Sequence, residues 1–246
     1  MKGLRPAVSQ RATNKAVPLF GYPHEQPPPG ALDLQVSVAP TLSLLNDRLV
    51  AQGDTDDLDL LIQAVHTAVG RTVTQTQMLG GYVARDGRAW PCHLEITPVV
   101  HATLPGHPGS WLHAHLMVGP TARAVDDGAR YDIDRGSLYD VLDSLYSTFR
   151  RSIEYRTTDA FRNRELHWGP PRASAPFEIL VPPLHQELDT TEHFREPCTG
   201  LWDQQHEIWL LPTADYRAET RRREQRAAQR PWAGPAHPEE RVYPFG

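Results

Sequence analysis

Lysine is almost missing from this chain of 246 residues: Lys2 and Lys15 are the only two among 25 basic residues, and the rest are arginine. A Gly-x-x-x-x-Gly-Lys phosphate loop is thereby excluded, while arginine offers planar, bidentate contacts to phosphate or carboxylate. Cysteine is equally scarce. Cys92 and Cys198 lie far apart and match no metal or redox spacing, so a disulfide framework and a thiolate cage are excluded and both are expected to be free thiols in a reducing compartment. No stretch approaches about eighteen apolar residues, and the charges in MKGLRPAVSQRATNK precede no apolar core. The expectation is a soluble, cytoplasmic bacterial protein with no membrane insertion. A basic excess is absent too: the formal net charge is −5, so any nucleic-acid surface has to be local.

What is present divides the chain into three. Residues 1–30 hold Pro6, Pro18, Pro23 and the run Pro27 to Pro29, which reads as an irregular arm. Residues 31–185 have the patterning of one folded domain with room for a substantial core. Residues 186–246 form an extension with a basic helix at about 214–230, six arginines against three acids, and a proline-rich tail. That helix suits nucleic acid, an acidic partner or plain solvent.

Within the domain, Leu32 to Val38 alternates apolar and polar residues as a half-buried strand ended by Pro40. A short helix is expected over Ser43 to Val50. Asp54, Asp56, Asp57 and Asp59 then open an amphipathic helix carrying Leu58, Leu61, Ile62, Val65, Ala68 and Val69, expected to end near Gly70. Thr72 to Val83 reads as a strand or loop, and Arg85 to Arg88 as a polar turn. Ser137 with Asp140 resembles a capping box that starts one long helix, with Leu138, Val141, Leu142, Leu145, Phe149 and Ile153 on one face. Arg150, Arg151 and Arg156 sit near its end, as a solvated turn or a phosphate contact. Phe177 to Val181 and Ile208 to Leu211 read as strands.

The chemistry concentrates between His93 and Gly119. Leu94, Ile96, Pro98 and Val100 alternate with Glu95, Thr97, Val99 and His101, and Leu112 to Val118 forms a second candidate strand. His113 and His115 are two residues apart, so on a strand both imidazoles leave the same face. The turn-forming stretch Leu104 to Ser110, with Pro105, Gly106, Pro108 and Gly109, folds the second strand back antiparallel and brings His101 beside the pair. Three imidazoles with an open position suit a divalent transition metal; two surface histidines are the other reading. Glu95 shares the parity of His101 and is either a further ligand or solvated. A His-x-His oxygenase site asks for an acidic ligand soon after the pair, and Leu116 to Thr121 has none.

These pieces, in this order, resemble the relaxase domain of the TrwC/TraI (MobF) family of conjugative plasmid proteins, a branch of the His-hydrophobic-His nucleases. Leu32-Asp33-Leu34-Gln35-Val36-Ser37-Val38-Ala39-Pro40 followed by Leu42-Ser43-Leu44-Leu45 is similar to that family's strand and helix signature. His101-Ala102-Thr103 and Leu112-His113-Ala114-His115 resemble its histidine elements, Tyr131 to Ser147 the stretch that follows, and His167-Trp168-Gly169-Pro170 with Phe177-Glu178-Ile179 its last strand. The resemblance runs over residues 31–185. It implies an α+β fold, an antiparallel β-sheet flanked by helices. It also implies a divalent metal (Mg, Mn or Zn) held by His101, His113 and His115, with Asp33 orienting a metal-ligating histidine.

The activity implied is nicking of single-stranded DNA at a transfer origin by a tyrosine that becomes attached to the 5′ end, alongside other conjugation proteins. In the family the nucleophilic tyrosines lie well upstream of the signature strand; here that region holds Tyr22 alone, in Phe20-Gly21-Tyr22-Pro23-His24. Thr41 stands where the family has lysine, Ala102 where it has aspartate, and Leu104 and Pro105 where it has serine and arginine. Two expectations stay open: an N-terminally truncated or diverged relaxase with Tyr22 as the candidate nucleophile, or a non-catalytic relaxase remnant acting as a DNA- or protein-binding accessory module.

Overall fold

The computed structural model describes residues 29–103, 109–162, 165–169, 178–184 and 200–203, and the backbone of 208–210. Tyr22, nearly all of the 1–30 arm, Cys198, and the basic helix expected at about 214–230 lie outside these residues. The chain is α+β, with antiparallel sheets and helices packed against them.

Strand β1 (Leu32–Ser37) sends Leu32, Leu34 and Val36 into the core at no more than 1% exposure, as period-2 alternation requires. Pro40 is the first residue of helix α1 (Pro40–Gln52), where a missing N–H costs nothing. No side chain of its own caps α1. The buried Glu178 carboxylate does so from far along the chain, accepting from the Thr41 N–H at 3.2 Å and its hydroxyl at 2.6 Å, where a helix end attracts negative charge. Gly53, at φ 67°, closes α1 in the left-handed conformation that glycine adopts without strain.

Helix α2 runs Thr55–Gly80, capped by Asp54, whose carboxylate accepts from the Asp57 N–H. It does not end near Gly70, and the stretch 72–80 is neither strand nor loop. Thr72 and Thr76 are fully buried and donate back to Ala68 and Thr72 carbonyls. Gln77, also fully buried, donates to the Cys92 carbonyl and accepts from the Leu94 N–H, each at 2.8 Å. Burial against the core overrides weak helix propensity here. Strands β2 (Tyr82–Arg85) and β3 (Arg88–His93) then form a hairpin through Asp86 and Gly87, whose φ values of 52° and 69° are those of a two-residue primed turn.

Strands β4 (Ile96–Thr103) and β5 (Ser110–Val118) carry the histidines. After β6 (Thr121–Ala124) and β7 (Arg130–Asp132), the expected single long helix is two: α3 (Arg135–Asp140) and α4 (Leu142–Ala160). The Val141 N–H turns to the Leu138 carbonyl three residues back, a tightened step that breaks the α pattern. The start lies one turn earlier than expected, at Asp134, whose carboxylate accepts from the Ser137 hydroxyl. Strands β8 (His167–Gly169), β9 (Glu178–Val181), β10 (Gly200–Asp203) and β11 (Ile208–Leu210) complete the described elements.

The main sheet has the order β11-β10-β1-β5-β4, antiparallel throughout. It thus draws two strands from the stretch beyond residue 185. A second sheet, β2-β3-β6-β7, returns to its first strand through a Val83 to Ile133 bridge. The leucine face of the main sheet, with Leu34, Leu112 and Leu116, joins Leu42, Leu61, Val65, Leu145 and Phe149 from the helices in one core. The other face is left for the histidines.

Candidate metal centre

Register decides the site. β4 and β5 pair so that His101 lies opposite His113 and Val99 opposite His115, and opposed residues of an antiparallel pair share a face. The three rings stand with centroids 5.1 to 5.2 Å apart, and one nitrogen from each lies within 4.8 Å of the others. Among the described residues this is the one cluster of at least three histidine, cysteine or acidic side chains suited to a metal. His113 and His115 are buried, at 0% and 2% exposure, and His101 is half-buried.

Two orienting contacts fix which nitrogen faces the cluster. His113 Nδ1 lies 2.7 Å from the Trp111 carbonyl, an acceptor, so it carries the hydrogen and donates. His115 Nδ1 lies 2.9 and 3.0 Å from the two oxygens of Asp33, reached diagonally from β1. With Nδ1 protonated, Nε2 keeps its lone pair, the arrangement that metal-ligating imidazoles adopt. Helix α1 holds the Trp111 carbonyl in place from both sides. Asp47 accepts from the Ser110 N–H, Asn46 donates to the Ser110 hydroxyl at 2.7 Å, and Ser43 accepts from the Leu112 N–H at 3.0 Å.

The electrostatics suit a metal. Burial, reinforced by the neighbouring imidazoles, pushes His113 down to about 4, and burial likewise lowers His101. At neutral pH these two present lone pairs and not charges, so the donor set fits a divalent ion, most closely a transition metal.

Other expected residues fall elsewhere. Glu95 does not approach the histidines, because both its oxygens are taken by Arg130 at 2.6 and 2.8 Å. Arg150, Arg151 and Arg156 ride on α4, in the helical layer across the sheet. Cys92 is a buried free thiol, pushed up to about 12 by desolvation. No helix among the described residues is long and apolar enough to cross a membrane. Gln35 and Asn46 were not singled out from the sequence. Gln35 shares the parity of Asp33, which was the available signal; nothing local marks Asn46.

No family model matches the chain. No curated protein matches it either. Among solved structures it is similar to complexes of the conjugative relaxase TrwC. One, with mutant oriT DNA, is 19% identical, covers 60% of this chain and 49% of that chain, and has a TM-score of 0.46. A metal-free complex with oriT DNA is 18% identical, covering 61% and 49%, with a TM-score of 0.47. A metal-bound complex is 16% identical, covering 61% and 48%, with a TM-score of 0.46. The chain thus spans about half the length of the solved chains it matches. At these scores the likeness stands beside the site geometry and adds nothing to it.

Proposed function

We propose that this chain is a relaxase-like domain related to plasmid conjugative transfer, binding a divalent metal through His101, His113 and His115 and single-stranded DNA beside it. The observation that carries the reading is the convergence of the three imidazoles on one sheet face with Asp33 on the back of His115; the order of motifs along the sequence supports it. His101, His113 and His115 would hold the ion, which would supply Lewis acidity for the negative charge that grows on a scissile phosphate. The residues of the chain supply the rest. Asp33 and the Trp111 carbonyl aim two ligand nitrogens, and α1 holds the ligand strand.

In the catalytic form of the proposal, the Tyr22 hydroxyl gives up its proton to solvent as its oxygen bonds to phosphorus, the bond to the 3′ oxygen breaks, and that oxygen takes one proton back from solvent and leaves as a hydroxyl. The second form is an accessory module that binds DNA or a conjugation protein without cutting; Ala102 and the setting of Tyr22, both unlike the family pattern, favour it.

The deciding experiment incubates the chain with manganese or zinc and a labelled single-stranded transfer-origin oligonucleotide, beside a His113→Ala, His115→Ala double variant and a Tyr22→Phe variant. The native chain is expected to bind about one ion and to hold the oligonucleotide at low salt, and the double variant to lose the ion. A covalent adduct lost in Tyr22→Phe establishes the catalytic form; metal and DNA binding without an adduct establishes the accessory form. Absence of both metal and DNA binding overturns the proposal.

A further inference from the structure

Asp33 reaches His115 only by leaning. In the β1 to β5 register the residue opposite His115 is Gln35, whereas Asp33 lies opposite Met117. The carboxylate therefore has to cross diagonally to bring its oxygens to 2.9 and 3.0 Å from Nδ1. Gln35 fills the direct position, buried at 3% exposure, and its side-chain amide donates to Asp33 Oδ2 at 2.8 Å. Asp33 and Gln35 are two apart on one strand, so they share the histidine face. One carboxylate thus takes a ring N–H from one side and an amide N–H from the other, and the two donors leave it a single orientation.

Resting on the metal reading of the site, we infer that Gln35 is a positioning residue for the metal ligand His115, acting through Asp33. The amide holds the carboxylate turned toward Nδ1, and that contact in turn fixes the imidazole with Nε2 toward the other two histidines. Groups that orient a ligating histidine govern metal affinity without touching the ion, at about tenfold to hundredfold. A buried glutamine that merely satisfies its own amide would affect folding and leave the metal alone.

The test is a cobalt(II) titration of the full chain by calorimetry and by the visible absorption of the bound ion. It compares native protein with Gln35→Leu, Asp33→Asn and the double variant, and measures metal-free thermal midpoints alongside. Gln77→Leu serves as the control, since Gln77 is an equally buried glutamine bonded to Cys92 and Leu94 away from the cluster. Gln35→Leu is expected to bind cobalt about tenfold to hundredfold more weakly with a changed spectrum. The double variant should be no weaker than Asp33→Asn alone, because the two residues act through one contact. Gln77→Leu should lower the midpoint and keep native affinity. Should Gln35→Leu fail to fold, Gln35→Met offers similar length without the donor and carries the same expectation. Native affinity and spectrum in the Gln35 variants, or losses that add in full, overturn the inference and leave the metal reading standing. No cobalt bound by the native chain overturns the metal reading, and this inference with it.

Discussion

At the scale of the residue, the site is a problem of three imidazoles packed within van der Waals reach of one another. Burial makes the charged form of His101 and His113 costly, and charged neighbours would add repulsion. Hence His113 sits at about 4 and His101 is lowered. The unfolded chain, with histidine near its ordinary value of about 6.5, then binds protons that the folded chain refuses. Stability contributed by the neutral form is complete above roughly pH 6.5 and is lost as the pH falls toward the folded value. For His113 alone the metal-free protein is expected to lose about 2 kcal/mol between pH 7.5 and 5. Urea denaturation at the two pH values, with His113→Leu in parallel, checks this; an equal drop in the variant assigns the loss to other groups.

At the scale of the element, the second helix shows packing overruling local preference. Its later turns carry Thr72, Thr74 and Thr76, each with a hydroxyl turned back to a carbonyl four residues earlier, and it runs straight through Gly70. Nothing lies within 4 Å of where a Cβ at Gly70 would sit. Gly70→Ala is therefore expected to stabilise the protein by about 0.5–1 kcal/mol, since alanine removes backbone freedom from the unfolded chain and meets no clash. An unchanged or lowered urea midpoint would show that the helix is strained there. Helix α1 answers a different need. Its own first turn lacks a capping side chain, and the two partners that secure its start and its flank, Glu178 and the start of β5, come from distant strands.

At the scale of the whole molecule, Asp203 closes the structure. Fully buried, it accepts from Arg135 Nη1 at 2.6 Å and from the Tyr139 hydroxyl, while Arg135 Nη2 donates to the Gly30 carbonyl at 2.9 Å. Asp203 thereby ties β10 to α3, and Arg135 carries the tie on to Gly30, just ahead of β1. Exposed pairs such as Arg162 with Asp159 contribute about 0–1 kcal/mol; breaking a buried one strands a charge. Asp203→Ala is expected to cost about 3–5 kcal/mol, and Tyr139→Phe about 1 kcal/mol, in thermal or chemical unfolding. A cost below about 1 kcal/mol for Asp203→Ala would mean the pair is solvated or replaceable.

The sequence by itself determined the features that repeat along the backbone. Period-2 alternation put His113 and His115 on one strand face, the apolar spacing from Leu58 to Val69 marked a helix, and Arg85 to Arg88 announced a polar turn. These are legible because strand and helix periods are properties of a single stretch of chain. Only the tertiary structure decided what lies beside what. It fixed the register in which His101, expected beside the pair, stands opposite His113, selected His115, 82 positions away, as the histidine that Asp33 orients, kept Glu95 for Arg130, and extended α2 through a threonine-rich stretch. It also added β10 and joined it, with the strand expected from Ile208, to the main sheet. Such pairings minimise the polar groups left unbonded and the apolar surface left wet over the sheet as a whole, and no local pattern in the chain contains that sum.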